Sequence, residues 1–167
     1  MVTAGRTGTG VVRARIALVA AAVIVAGLDL GVKTWAARVL NDGSSTDLGL
    51  LHLRLVFNPG VAFSFGDTLP PAVLLGATGV IVVALAVFAF WSARSATWPC
   101  VLALAALVGG AVANVIDRAA DGLVTDFLHT GWFPTFNLAD VFVVTGAAVL
   151  AVISWRVSAT PDTAGAA

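Results

Sequence analysis

Two stretches of twenty residues each, 72–91 and 97–116, contain no charged side chain. A helix needs about 20 apolar residues to cross a hydrocarbon core, so each stretch can span a membrane unaided. Two more, 16–35 and 138–155, are broken only by Asp29 and Lys33 in the first and by Asp140 in the second. Inside lipid a backbone must satisfy its own polar groups, which leaves the helix as the conformation for all four. Charged residues make up 11% of the 167-residue chain and hydrophobic ones 59%. With about 25% charged residues usual in a soluble domain, both a soluble globule and a disordered chain are excluded. The expected fold is membrane all-α: four spanning helices in one domain over 1–158, with a disordered tail over 159–167.

Arg6, Arg13 and Arg15 precede the first span, while Arg94 and Arg156 follow the second and fourth. Cytoplasmic loops are enriched in Lys and Arg, which puts both termini inside. A cleaved leader also begins with arginines, but this apolar run passes Ala20-Ala21-Ala22 with no polar cleavage region, so an uncleaved anchor is expected. Trp35, Trp91, Trp98, Trp132 and Trp155 fall at or near span ends, where the indole favours the interface. All nine acids are aspartate, and eight of them map to the outer half. Nine basic residues balance the nine acids, leaving no basic field for a nucleic acid. The single cysteine, Cys100, allows neither an internal disulfide nor a Cys-rich zinc site.

Between the first two spans, Asn41-Asp42-Gly43-Ser44-Ser45 reads as a turn. Leu51, Leu53, Leu55 and Phe57 then alternate with His52, Arg54 and Val56, the pattern of a half-buried strand lying on the membrane surface. Asn58-Pro59-Gly60 ends it. The second outer segment, 117–137, carries Asp117, Arg118, Asp121, Asp126, His129 and Asn137.

Asp126 and Asp140 are the main pair of candidate reacting groups. Alone, Asp126 reads equally as a solvated loop residue and Asp140 as a charge capping the fourth helix. Held together at one membrane depth, two such carboxylates share a proton, one serving as base toward water and the other as acid. Asp29 and Lys33, spaced i,i+4, read first as an intrahelical ion pair that eases burial, and second as a substrate contact. Asn114, Asp117 and Arg118 read as ties between helices and loop, Gly109-Gly110 as a close helix approach, and Asp121-Gly122 as a turn. His52 and His129 lack ligand spacing, so no metal and no cofactor is expected. No Ser–His or Cys–His pairing is plausible, because Cys100 lies near the inner face and both histidines lie outside.

These segments resemble the lipoprotein signal peptidase (signal peptidase II) family of bacterial membrane aspartyl peptidases. The resemblance rests on Asp29…Lys33, Asn58-Pro59-Gly60-Val61-Ala62-Phe63, the run from Gly109 through Asn114 to Asp117-Arg118, Gly122-Leu123-Val124-Thr125-Asp126-Phe127 and Phe136-Asn137-Leu138-Ala139-Asp140, in that order. It implies that Asp126 and Asp140 are a catalytic dyad. It also implies that Asn58, Gly60, Asn114, Arg118, Asn137, Asp29, Lys33 and Asp117 bind substrate or support the site. The implied substrates are diacylglyceryl-modified prolipoproteins, cut just before the lipidated cysteine. An extracytoplasmic β-cradle, a bacterial cytoplasmic-membrane location among membrane lipid, and a monomer complete the expectation. Leu30, Val32, Val61, Ala113 and Thr125 depart from the usual family residues, and all spare the carboxylates. Two other readings compete. In one, a metal-dependent phospholipid transferase uses Asp117, Asp121 and Asp126 as Mg²⁺ ligands, although Asp121-Gly122 is not followed by that family's Ala-Arg. In the other, a small transporter uses its aspartates as a proton relay.

Overall fold

The computed structural model describes residues 7–43, 45–59 and 70–158. The expected tail, Gly60 and the segment from Ala62 to Gly66 lie outside the described residues. Four helices form: α1 (Gly8–Val39), α2 (Pro71–Ser92), α3 (Trp98–Asp121) and α4 (Leu138–Ser158). Each is long and apolar enough to cross a membrane. Three strands, β1 (Ser45–Asp47), β2 (His52–Asn58) and β3 (Val124–His129), pair antiparallel in the order β1-β2-β3.

The helices overrun the spans read from hydropathy, and the overruns matter. At 1.5 Å per residue the 32 residues of α1 extend ~48 Å, well beyond the ~30 Å hydrocarbon thickness. Arg13, Arg15 and Arg38 therefore belong to the helix rather than to its flanks. Likewise α3 continues past Ile116 for another turn, so Asp117 and Arg118 are helical, not part of a loop. Gly122 stops α3 in the left-handed conformation (φ 88°), its N–H donating to the Arg118 carbonyl. The Asp121 carboxylate accepts the Leu123 N–H at 3.0 Å, which makes the expected turn.

Side-chain alternation in β2 does not follow the simple pattern. Leu53 and Leu55 pack inward with Ala36, Leu40 and Phe127, seating the sheet on the end of α1. Phe57, expected beside them, is 48% exposed. A register shift between Leu53 and Val56 interrupts the ladder, and such an irregularity re-aims the residues beyond it.

Helix α3 is the central helix, with 44% of its apolar window buried against 11–17% for the others. Glycines let its neighbours approach. A Cβ on Gly109 would lie 2.6 Å from the Ala22 carbonyl oxygen of α1, and one on Gly110 would lie 2.5 Å from the Ala139 carbonyl oxygen of α4. Gly146 of α4 sits against Ala103 of α3 in the same way. The contact at Gly110 bears on the first turn of α4, next to Asp140. Gly110→Ala is therefore expected to destabilise by about 1–3 kcal/mol and to displace that turn. Gly79→Ala, where a Cβ meets nothing within 4 Å, should leave both unchanged or gain slightly in helix stability. Thermal unfolding of both variants in detergent checks this. Equal behaviour of the two would refute the packing argument.

Candidate active site

Asn137 and Asp140 form a reciprocal cap at the start of α4. The Asp140 N–H donates to Asn137 Oδ1 at 3.0 Å, and the Asn137 N–H donates to Asp140 Oδ2 at 3.1 Å. An N-terminal cap with an acceptor three residues on satisfies two amides that the helix itself leaves open. Asp140 is thus the capping charge of one sequence reading, and its other oxygen accepts Asn114 Nδ2 at 2.8 Å. A third open amide, that of Ala139, donates to Asp29 Oδ1 of α1 at 2.7 Å.

Asp126 reaches the same place from β3. Phe136 bridges back onto Leu128 of the strand, which sets Asn137 alongside it. Asn137 Nδ2 then donates to Asp126 Oδ1 at 2.7 Å. Asn58, diagonal to Asp126 on the paired strand, donates to Asp126 Oδ2 at 3.1 Å. One asparagine therefore holds both carboxylates, its side-chain amide on Asp126 and its backbone amide on Asp140. Asp126 is only 3% exposed. Burial pushes its carboxyl up to about 6; the donors Asn58 and Asn137 oppose the rise, and the nearby Asp140 charge adds to it.

Behind the pair, Lys33 joins the helices. Its Nζ lies 2.9 Å from Asp29 Oδ2 and 3.1 Å from Asp117 Oδ2, and it donates to Asn114 Oδ1 at 2.6 Å. Asp29 and Lys33 are 0% and 2% exposed, so these are buried charges with specific partners. Asp117 also accepts the Thr125 backbone N–H at 2.7 Å and the Thr125 hydroxyl at 3.3 Å. The i,i+4 ion pair of α1 is real, but it belongs to a larger tie among α1, α3, β3 and α4. Arg118 is buried in the last turn of α3.

The expected residues Asp126, Asp140, Asn58, Asn114, Asn137, Asp29, Lys33 and Asp117 thus converge through hydrogen bonds and ion pairs, while Gly60 is outside the described residues. Sequence reasoning missed Thr125 as a partner of Asp117 and Asp29 as a cap for α4. It also missed that His52 and His129 face each other across β2 and β3, ring centroids 6.4 Å apart. The Asn-x-x-Asp spacing at 137–140 was a readable cap signature; the contact from Asp29 to α4 left no local signal. The three acids of the transferase reading go separate ways: Asp117 to Lys33 and Thr125, Asp121 to its turn, and Asp126 to the two asparagines. Among the described residues no three His, Cys or Asp side chains gather to hold a metal.

The family model for Signal peptidase (SPase) II matches residues 21–156. The chain belongs to the signal peptidase II family. That makes it an aspartic peptidase. A lipoprotein signal peptidase of Mycobacterium leprae is 37% identical over 153 residues, covering 85% of this chain and 72% of that one. One from Rhodococcus jostii is 34% identical over 148 residues, covering 84% and 73%. Two solved structures, both described as bacterial membrane enzymes, share the fold. One has a TM-score of 0.77 at 24% identity, covering 90% of this chain and 94% of the other. The second has a TM-score of 0.72 at 26% identity, covering 83% and 92%. A multi-pass membrane peptidase accounts for the exposed apolar faces of α2 and α4, including Val80, Ile81, Val83, Val144 and Val152, for which lipid is the solvent.

Proposed function

We propose that Asp126 and Asp140 are the two working carboxylates with which this signal peptidase II removes signal peptides from lipoprotein precursors. The observation that carries the reading is Asn137, which holds one carboxylate by its side chain and the other by its backbone. Two carboxylates so placed do not ionise independently. With one proton between them, the ionised group takes a proton from water, and the resulting hydroxide attacks the scissile carbonyl. The protonated group donates to the departing amine, and the pair ends with one proton again. Asp126, with its raised pKa, is the natural holder of that proton. Asn58, Asn114 and Asn137 fix the carboxylates, Asp29, Lys33 and Asp117 brace them from behind, and Arg118 and Gly60 are further residues that bind substrate or support the site.

The scissile bond in this proposal precedes a cysteine bearing diacylglyceryl, with the three-stranded sheet as the cradle over it. A site at the end of the bundle meets such a substrate without drawing its acyl chains out of the bilayer. The enzyme works as a monomer, one domain over 1–158, in the bacterial cytoplasmic membrane with both termini cytoplasmic and the dyad facing outward. Arg13, Arg15, Arg94 and Arg156 support that orientation. In a Cys100→Ala background, Thr46→Cys on β1 should react with an impermeant thiol reagent on intact cells, and Ser95→Cys between α2 and α3 should not. The opposite labelling would put the dyad on the cytoplasmic side.

The function itself is tested by incubating the purified protein with a diacylglyceryl-modified prolipoprotein and with its unmodified counterpart. Release of signal peptide from the lipid-modified form alone is expected, and the activity should survive exhaustive chelation. The four dyad oxygens already face amide donors from Asn58, Asn137 and Asn114, which compete with a cation for them. Activity lost on chelation and restored by Mg²⁺ would reject the two-carboxylate mechanism.

A further inference from the structure

The hydrolytic reading makes no use of an apolar groove of about 620 Å³ between α1, α2 and α3. Its walls include Val19, Val23 and Leu30 of α1, Phe90 and Trp91 of α2, and Val112 of α3. A second hollow continues it toward the start of α1, sharing Val19 and Phe90 and adding Arg15. From Arg15 to Leu30 the path covers 15 residues of α1, or ~22 Å. One leaflet of hydrocarbon is ~15 Å deep, so the groove accommodates a whole acyl chain starting at headgroup depth.

Arg15 lines the second hollow, and Arg94 lies against Trp91, a wall residue of the first. The Arg15 guanidinium lies over the Phe90 ring, 4.3 Å from its centroid, and its Nε donates to the Phe90 carbonyl at 3.3 Å. That carbonyl is in the last turn of α2, where a cation is favoured. This contact fixes the guanidinium by its Nε, while its terminal nitrogens have no protein partner among the described residues. Arg94 is set over Trp91, 5.3 Å from the centroid. Asp29, Asp42, Asp47, Asp117, Asp121, Asp126 and Asp140, all the described acids, lie toward the other end of the bundle. Two arginines held on the rings of Phe90 and Trp91, with no carboxylate at that end among the described residues, suit the bidentate demands of a phosphate.

We propose that this groove binds one anionic phospholipid of the leaflet at the α1 N-terminal end, its chain between α1 and α2 and its phosphate on Arg15 and Arg94. A zwitterionic lipid fills the apolar part equally well but offers the two arginines no net negative charge. The site is remote from the carboxylates: Arg15 is 14 residues, or ~21 Å along α1, from Asp29. It does not depend on the dyad assignment.

The test measures lipid binding to the full-length protein in neutral detergent. Phosphatidylglycerol and phosphatidylcholine with matched chains are added, and bound lipid is read by native mass spectrometry and by the thermal midpoint. Phosphatidylglycerol is expected to bind at least tenfold more tightly. Arg15→Gln with Arg94→Gln should remove the preference, while Arg13→Gln, an exposed charge on the same helix, should keep it. Val19→Trp, which fills the junction of the two hollows, should weaken both lipids while leaving the arginines in place. Equal binding of the two lipids overturns the proposal, as does an Arg13→Gln loss equal to that of the double variant. It also fails if glycerol phosphate without chains matches the lipid, or if prolipoprotein displaces it, since the groove would then hold a free anion or the substrate.

Discussion

Asp126→Asn is expected to slow cleavage of a lipid-modified prolipoprotein by roughly 10³-fold or more while making the protein more stable at neutral pH. The rate loss follows from removing one of two proton-transfer groups, each worth about 10²–10⁴. The gain in stability follows from the pKa. A carboxyl raised from 3.8 to about 6 in the folded state penalises folding once ionised. Its stabilising contribution is complete below about pH 4 and is lost as the pH rises to about 6. A shift of about two units corresponds to ~3 kcal/mol at pH 7. Asparagine offers one acceptor where two donors, Asn58 and Asn137, now point, so a net gain of about 1–2 kcal/mol is expected. Asp140→Asn should abolish cleavage equally but without that gain, since it disturbs the cap with Asn137 and the bond from Asn114. Thermal unfolding between pH 4 and 8 distinguishes the two variants, and the wild-type rate should be bell-shaped in pH. Near-normal cleavage by either variant removes it from the dyad.

Lys33→Ala carries the second large effect, on folding. The change leaves Asp29, fully buried, and Asp117 without their shared cation. Breaking a buried pair on one side costs about 3–5 kcal/mol, a large part of the stability of a domain. The expected result is a steep fall in folded yield and thermal midpoint. Asp29→Asn combined with Lys33→Gln should restore much of the yield, because a neutral oxygen at position 29 can still accept the Ala139 amide. Yield restored without cleavage assigns Lys33 a further role through Asn114, which it touches on one side and which touches Asp140 on the other. A Lys33→Ala protein of normal stability would contradict the network.

The helices were legible because lipid imposes a length and forbids charge, and the uncharged runs meet both conditions. That Asp126 and Asp140 come to one place was foreshadowed because a carboxylate beside an apolar segment needs a reason. What stayed hidden involved partners far apart in sequence. Asp29 and Lys33 share a helix face, and the sequence gives that spacing, but nothing local says that the Asp29 carboxylate also reaches Ala139. Phe57 reads as inward by alternation until the irregularity in β2 breaks the count. Strand β3 reads as a loop, since its burial comes from α1 and β2 rather than from its own pattern. Thr125 reads as a departure from an aliphatic position, yet its hydroxyl meets Asp117 only because α3 runs a turn beyond its apolar stretch.

Where the last helix packs on the first, the backbone amide of Ala139 is closed by a carboxylate oxygen 110 residues earlier. During synthesis α1 enters the membrane long before α4 exists, so Asp29 waits without the amide it will accept. The turn bearing Asp140 can be completed only after the final helix has docked against the first. On the proposed assignment, hydrolytic competence is a property of the finished chain, and a half-inserted enzyme would have no assembled pair of carboxylates with which to cut its neighbours.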